Sequence, residues 1–309
     1  MVGPQTRRAA GAVTGGRFEH FMAIDWSGAV GARQKGIAVA LCSGAGEPPR
    51  LLHPECHAHW SREGVLDLLL HRLPDDTLVG LDLGISLPFA DAGAFFPGWD
   101  ESPSDARGLW ALIDAICTDD PHFCASSFVD HARASAYFRR HGGREGERFH
   151  LPGALDRKGR MRVTEKAQAR AGCRPYSNFN LVGAAQVGKS SLTGMRLLHR
   201  LAGRLPVWPV DPLPHSGSVV VEIYTTLAAV AAGRSASRAK MTDRAELNVA
   251  LTTFGCGSIQ DTGPIDDHSA DALLTAAWLR GAAHSPALWQ PAELADELAR
   301  TEGWTFGAL

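Results

Sequence analysis

Several features that would place this chain in a special class of protein are missing from its sequence. It has no uninterrupted apolar run of the roughly 18–20 residues that a membrane-spanning helix needs, so we expect no membrane partner. Its six cysteines lie far apart and form no CxxC motif, which favours reduced thiols and a cytoplasmic location over a disulfide framework. The 31 basic and 33 acidic residues nearly cancel, so no overall charge attracts the chain to nucleic acid.

What the sequence contains is typical of a folded domain. Its 309 residues are 45% apolar, which is enough to build a sizeable core. We find no internal repeat and no low-complexity run. Residues 1–17 are rich in Gly, Ala and Arg and lack the hydrophobic stretch of a signal peptide. We therefore expect a disordered leader at 1–17 and a single domain at 18–309.

Hydrophobic patterning predicts an α/β protein with a mixed sheet. Strands are predicted at Phe18–Ser27, Lys35–Ser43, Arg50–Trp60, Asp76–Leu87 and Ser218–Tyr224. Helices are predicted after an N-cap at Ser61, near Gly108–Cys117, and at Ser191–Ala202, Asp266–Leu279 and Pro291–Arg300. This order predicts five strands covered by helices on both faces, with strand one parallel to strand four. Residues 89–180 do not continue this alternation of strands and helices. They are expected to form a large insertion after strand four, packed on the edge of the domain.

The insertion carries an excess of positive charge. Between Arg133 and Arg174, twelve basic and four acidic residues give a local charge of +8, which leaves −10 for the rest of the chain. This asymmetry fits a nucleic-acid partner and fits a solvated, arginine-rich surface equally well. The candidate phosphate contacts within it are Arg157, Lys158, Arg160 and Arg162.

Acidic residues interrupt three strands that are otherwise apolar. These residues are Asp25, Asp82 and Glu222. A carboxylate inside a buried strand must be paired, hydrogen-bonded or bound to a metal to offset its lost hydration. The same strands contain no Lys or Arg, so the set of three favours a shared cation, although any one of them alone is better explained by structural pairing.

A further polar cluster opens the last long helix. Its members are Asp266, Asp267, His268 and Asp271. Asp267 and His268 precede Asp271 by four and three residues, so both share its face of the helix. Interaction with the helix dipole explains Asp266 and Asp267 well and Asp271 poorly. Together with the strand acids, this cluster predicts a metal site.

Four short motifs resemble those of the ribonuclease H-like superfamily, and more narrowly a branch of predicted nucleases catalogued as a domain of unknown function. The motifs are Ile24–Gly28, Leu81–Gly84, Val221–Tyr224 and Asp267–Leu273. The last is similar to the H/D-x-x-D-A-L signature of RuvC-type Holliday junction resolvases. The resemblance implies a ribonuclease H-like fold and a nuclease that uses two Mg²⁺ or Mn²⁺ ions.

The same resemblance implies roles for individual residues. Asp25 would bridge two ions, Asp82 would bind one, and Asp271 with His268 or Asp267 would complete the site. Glu222 departs from the pattern, because superfamily nucleases more often take their acids from strands one and four and from flanking helices. It is either a ligand particular to this branch or a partner of a ligand.

Other functions remain open. Gly183–Ser190 matches the P-loop pattern G-x-x-x-x-G-K-S, but the preceding residues 174–182 make a poor strand, so we favour a helix-capping loop near the site, where Lys189 could still contact a phosphate. Asp82-Leu83-Gly84 matches the D-x-G loop of actin-like phosphotransferases, whose architecture needs a second β-β-β-α-β set. A non-catalytic nucleic-acid-binding module on a nuclease fold is the third alternative.

Overall fold

The computed structural model describes residues 16–44, 46–154, 158–183, 187–260 and 262–309. Residues 1–15 of the expected leader lie outside this part of the chain. So do Arg157 of the basic segment and residues 184–186 of the P-loop-like segment.

A mixed six-stranded sheet forms the centre of the protein. Its strands are β1 (His20–Asp25), β2 (Ala38–Ser43), β3 (Arg50–Leu52), β4 (Thr77–Asp82), β5 (Val207–Trp208) and β6 (Val219–Glu222). They are ordered β3-β2-β1-β4-β6-β5, with β2 antiparallel to both neighbours and the other pairs parallel. The structure therefore confirms the α/β class, and it places β1 beside β4 in parallel, as the element order predicts.

The strand count differs from the prediction of five strands, and the observed strands are shorter than predicted. Strand four, expected to run to Leu87, ends at Asp82. The additional strand, β5, has two residues and is followed at once by Pro209. It lies at the edge of the sheet, where hydrogen bonds are needed on one side only and a nearby proline is tolerated. The third strand is shorter than expected and ends at Leu52, two residues before Pro54, which has no N–H to donate.

Helices cover the sheet, and most of them are short. They are α1 (Arg62–Asp67), α2 (Ala106–Ile116), α3 (Ser126–Asp130), α4 (Val163–Arg170), α5 (Val187–Arg200), α6 (Thr225–Ala231), α7 (Arg244–Thr252), α8 (Asp267–Ala282), α9 (Pro286–Trp289) and α10 (Asp296–Thr301). A π-helical turn, Leu68–Arg72, extends α1, and the Ser61 side chain accepts a hydrogen bond from the Gly64 N–H, as expected for its N-cap. Across the described ranges, no helix has both the length and the apolar character that crossing a membrane requires.

Apolar side chains build a separate core on each face of the sheet. Ile24 and Leu81 belong to the core that packs against α1, α2 and α5. Ala23 and Val221 belong to the core that packs against α6, α7 and α8. Successive side chains of a strand point to opposite faces of the sheet. The core that each apolar strand residue joins therefore shows which face the neighbouring polar residue points to.

The insertion contributes to the first of these cores. Its Phe96 ring lies 5.8 Å from the Phe128 ring, 5.1 Å from Tyr137 and 6.2 Å from Phe179, measured between centroids. All four residues are buried together with side chains of the sheet. The aromatic side chains thus join the insertion to the α5 side of the molecule through shared burial of apolar surface.

Candidate functional site

Two aspartates end the two central parallel strands side by side. Asp25 is the last residue of β1, Asp82 is the last residue of β4, and the two are partners in the β1–β4 register. Asp25 lies two residues after Ala23, so its side chain faces α8. Asp82 is the register partner of Asp25 and faces the same way. Parallel pairing in this register is what brings the two predicted acids together.

The first turn of α8 brings further polar groups to the strand ends. His268 Nδ1 lies 3.1 Å from Asp25 Oδ2, within hydrogen-bonding distance. Asp271 follows one turn later and acts electrostatically on both Asp25 and Asp82. Asp266 is used differently, because it is the N-cap of α8 and accepts a hydrogen bond from the Ser269 N–H at 2.9 Å. The structure thus collects Asp25, Asp82, His268 and Asp271 in one place.

Few positively charged side chains neutralise the carboxyl groups of Asp25, Asp82 and Asp271. Burial raises the pKa of Asp82 well above its ordinary value, and the neighbouring Asp25 and Asp271 raise it further. Burial and Asp25 raise the pKa of Asp271 to about 7. Burial likewise raises the pKa of Asp25, although its hydrogen bond with His268 acts in the opposite direction. The cluster therefore resists carrying three negative charges at once.

Two cationic side chains border the cluster. The hydrogen bond to Asp25 raises the pKa of His268 to about 9, against the effect of burial. Lys240, in the segment between α6 and α7, forms an ion pair with Asp267. That contact lowers the pKa of Asp267, and it raises the pKa of Lys240 even though burial acts the other way. Asp267, a predicted metal ligand, therefore already has a cationic partner.

Three residues at the site were not found from the sequence. Lys240 lies in a loop without a motif, and its approach to α8 is a matter of tertiary packing. Thr225, the first residue of α6, makes a long hydrogen bond of 3.4 Å from its hydroxyl to Asp82 Oδ2. Gly36 lies against the imidazole: a Cβ there would be 3.3 Å from His268 Cε1 and Nε2. Of the three, only Gly36 lies in a segment predicted from the sequence, the strand at Lys35–Ser43.

Glu222 does not join the cluster, contrary to the expectation that it is a metal ligand. It follows Val221, whose side chain belongs to the α8 face, so Glu222 points to the opposite face. There its carboxylate accepts hydrogen bonds from Arg162 at 2.6 and 2.8 Å, from the Ile85 N–H at 2.8 Å and from the Thr305 hydroxyl at 2.5 Å. These donors occupy the carboxylate, which therefore acts in a buried structural network.

The predicted polyanion-binding role is contradicted for two of the four basic residues named for it. Arg160 is 3% exposed, pairs with Asp91 and donates to the Phe95 carbonyl at 2.6 Å. Arg162 is 1% exposed and pairs with Glu165 and Glu222. Both guanidiniums are buried because they donate to carboxylates and carbonyls, those of the insertion for Arg160 and also those of Glu222 and Glu302 for Arg162. A count of charges along the sequence does not reveal such pairing. Lys158 is exposed, and Arg157 lies outside the described residues.

The N-terminus of α5 packs against the loops that follow β1 and β4. A Cβ at Gly28 would lie 2.4 Å from the Lys189 carbonyl carbon, so the backbones are in close contact there. The Gly84 N–H donates to the Ser191 hydroxyl at 3.1 Å. Of the strand–loop–helix context that a P-loop needs, the helix is present, but residues 174–183 contain no strand. The start of α5 thus contacts the loops that follow Asp25 and Asp82, and Lys189 in its first turn is exposed.

The donor chemistry of the cluster suits a hard divalent cation, since carboxylate oxygens are the ligands that Mg²⁺ and Mn²⁺ prefer. In the part of the chain that the structure describes, however, no three His, Cys, Asp or Glu side chains are arranged so that they could hold a metal ion. No family model, curated protein or solved structure matches the chain. The ribonuclease H-like resemblance therefore stays a prediction that rests on the four short motifs.

Proposed function

We propose that this chain is a metal-dependent phosphodiester hydrolase that acts on nucleic acid. The observation that carries the proposal is the pairing of Asp25 with Asp82 at the ends of adjacent parallel strands, with Asp271 close to both. Clustered carboxyl groups of raised pKa destabilise a folded protein, and such clusters are concentrated at functional sites. A divalent cation would remove the repulsion between them.

The chain's own residues would divide the work as follows. After rotation of their side chains toward a shared point, Asp25, Asp82 and Asp271 would hold Mg²⁺ or Mn²⁺, which when bound supplies activation of water and stabilisation of the departing oxygen. Asp271 would lose its proton on binding, because the cation replaces the repulsion that raises its pKa. His268 would orient Asp25 through the 3.1 Å contact and present a protonated ring to the phosphate. Lys240 would neutralise Asp267 and leave the other acids to the cation.

Exposed basic residues support nucleic acid as the substrate class. Lys189 is exposed at the first turn of α5, which contacts the loop after β1. On the insertion, Arg144, Lys166 and Arg174 are exposed as well. Exposed cations of this kind bind a phosphate backbone without regard to base sequence. Fewer basic residues support a nucleic-acid substrate than the twelve in segment 133–174, because Arg160 and Arg162 are buried.

Binding of Mn²⁺ can be followed through Trp26, which is adjacent to Asp25 and whose indole N–H donates to the Thr193 hydroxyl at 3.0 Å. We expect saturable quenching of tryptophan fluorescence by Mn²⁺ in the wild-type protein. Asp25→Asn and Asp82→Asn should lose this quenching, and Asp100→Asn, a change at an exposed acid elsewhere, should keep it. Equal Mn²⁺ affinity in all four proteins would refute the metal site.

The activity is tested with labelled single-stranded DNA, single-stranded RNA, duplex DNA and a four-way junction, each with Mg²⁺ or Mn²⁺. We expect cleavage of at least one substrate, and loss of cleavage in Asp25→Asn. Metal binding without cleavage of any of them would favour the non-catalytic binding module. ATP-dependent phosphate transfer would favour the phosphotransferase, although the second β-β-β-α-β set of the actin-like architecture is not found in the described residues.

A further inference from the structure

Two cysteines and an arginine form a second cluster of reactive groups, away from the acidic site. Cys42 is in β2, Cys256 is in the loop after α7, and Arg280 is near the end of α8. Arg280 Nη1 lies 3.7 Å from Cys42 Sγ, and its Nη2 lies 3.2 Å from Cys256 Sγ. One guanidinium therefore contacts both sulfur atoms.

The guanidinium is held in this position by backbone carbonyls from both sides. Arg280 donates to the Gly44 carbonyl at 2.7 Å and to the Phe254 carbonyl at 2.9 Å. The two loops are also joined directly, because the Gly257 N–H donates to the Gly46 carbonyl at 2.9 Å. The sulfur atoms are thus kept close by contacts that do not depend on the sulfurs themselves.

The thiols lie just below the surface. Cys256 is 5% exposed and is the one buried residue of the segment 252–260. Gly255 before it is exposed and Gly257 after it is partly exposed, so Cys256 lies in a loop at the surface. Cys42, in β2, is fully buried. A small oxidant therefore has access to Cys256 first.

The surroundings also make the two thiols different from each other. The hydrogen bond from Cys42 and the charge of Arg280 lower the pKa of Cys256 to about 7, although burial opposes this. Cys42 donates that hydrogen bond and is buried, so its own pKa is raised. A thiolate is the nucleophilic form of cysteine, so this pair contains an attacking sulfur and a neighbouring thiol that can resolve its oxidation product.

We propose that Cys42 and Cys256 are a site of reversible oxidation, at which a hydroperoxide converts the pair to a disulfide that joins β2 to the loop after α7. The Cys256 thiolate attacks the peroxide oxygen, the O–O bond breaks, and the departing oxygen takes a proton. Cys42 then attacks the sulfur of the sulfenic acid, the S–O bond breaks, and the released hydroxide combines with the Cys42 proton as water. The two cysteines together lose two electrons, which reduce the peroxide.

The other cysteines provide internal controls. Burial raises the pKa of Cys117 to about 12 and also raises that of Cys173, so neither is poised to react. Cys56 is exposed and would react independently of this cluster, so the test uses a Cys56→Ser background. Five of the six cysteines remain in that protein.

The test treats this protein with hydrogen peroxide, blocks the remaining thiols by alkylation and maps the peptides by mass spectrometry. We expect a mass loss of about 2 Da, a peptide that links Cys42 to Cys256, and full reversal by dithiothreitol. The disulfide closes a long loop, so the midpoint of thermal unfolding should rise by roughly 5 °C or more.

Matched variants separate the proposed site from general oxidation. Cys256→Ser should abolish the cross-link, and Cys173→Ser should leave it unchanged. Arg280→Met should slow its formation about tenfold, and Arg280→Lys, which keeps the charge, should restore most of the rate. A cross-link between other cysteines, oxidation of Cys256 to the sulfinic acid without a cross-link, or no loss of Cys42 and Cys256 thiols would each overturn the proposal. None of these results depends on the hydrolase activity.

Discussion

Two groups of buried acids lie near the carboxyl ends of the central strands and are treated in opposite ways. On the α5 side, Arg162 pairs with Glu165 and Glu222, and the two acids raise the pKa of Arg162 although burial acts to lower it. Glu302 accepts hydrogen bonds from the backbone N–H groups of Phe89 and Ala90 at 2.7 and 2.8 Å. Every carboxylate of this group has strong donors.

On the α8 side, the donors are few. Asp25 has His268, and Asp82 has the 3.4 Å contact with Thr225, while the pKa of Asp271 rises to about 7. This difference between the two groups of acids shows that burial alone does not identify a functional acid. Carboxylates whose hydrogen-bonding capacity is filled hold the insertion and the C-terminal residues to the sheet. Under the proposed function, the carboxylates that lack donors would bind a cation from solution.

The largest expected effect concerns activity, under the proposed function. Asp25→Asn and Asp82→Asn should each lower the rate of phosphodiester hydrolysis by at least about 10³-fold, because each removes a ligand charge. The midpoint of thermal unfolding should stay equal or rise, because the change also removes repulsion between buried carboxylates. Steady-state kinetics and calorimetry measure the two quantities. A strong loss of stability would show that these acids are structural after all.

Stability should respond in the opposite sense when the buried acids on the α5 side lose their cation. Arg162→Met leaves Glu165 and Glu222 buried without their cation, and we expect the free energy of unfolding to fall by about 3–5 kcal/mol. Urea denaturation measures this change. The control is Arg170→Met, which breaks the more exposed pair with Glu293 and should have little effect. Similar values for the two variants would remove the distinction between the two groups of acids.

A smaller effect should appear in the pH dependence of stability in metal-free buffer. The pKa of Asp271 is about 7 in the folded state and 3.8 as its ordinary value. The folded state therefore holds a proton that the unfolded state has lost between these pH values, so stability falls as pH rises through this window. Asp271→Asn lacks this titration. The difference in free energy of unfolding between this variant and the wild type should therefore favour the variant more at pH 7.5 than at pH 4.5, by on the order of 2 kcal/mol.

His268 sharpens the same measurement in a second pH window. Its pKa is about 9 in the folded state against an ordinary value of 6.5, so its contribution is complete below 6.5 and is lost as pH rises through 9. His268→Gln should therefore flatten the fall of stability between about pH 7 and pH 9. Unfolding curves collected across both windows test this. A flat wild-type profile from pH 4.5 to 9 would contradict both assignments.

The smallest effect concerns the basic residues, which also divide into exposed side chains and buried ones that are already paired. Replacing Arg144, Lys166 and Arg174 by Gln should weaken duplex binding and flatten the slope of log K against log salt by up to about 2.7, at about 0.9 per phosphate contact. Arg160→Gln should lower stability without changing that slope, because its side chain is buried. Fluorescence anisotropy across a salt series measures the slopes. Identical slopes in the triple variant and the wild type would remove the support of these residues for a nucleic-acid substrate.

Much of the fold could be predicted from local pattern. Alternation and apolar runs located β1, β4 and β6, and the Ser61 side chain caps α1 as predicted. The edge strand β5 was missed because two residues before a proline carry too little pattern to indicate a strand. The sequence also overstated the third strand, since propensity does not show where pairing to a neighbour stops.

The sequence alone predicted that Asp25, near the end of strand one, would lie close to Asp82 in strand four, because a right-handed crossover between parallel strands leaves few alternatives. That Asp82 is the last residue of its strand was shown by the structure. The sequence also determined that α8 would begin with a polar cluster. Only the tertiary structure decided which face of the sheet Glu222 occupies and which cation each acid meets. Strand alternation is a local property, but its phase relative to the neighbouring strand depends on register. Contacts such as Lys240 with Asp267, or Arg280 with Cys42 and Cys256, join residues far apart in the chain, so no local pattern specifies them.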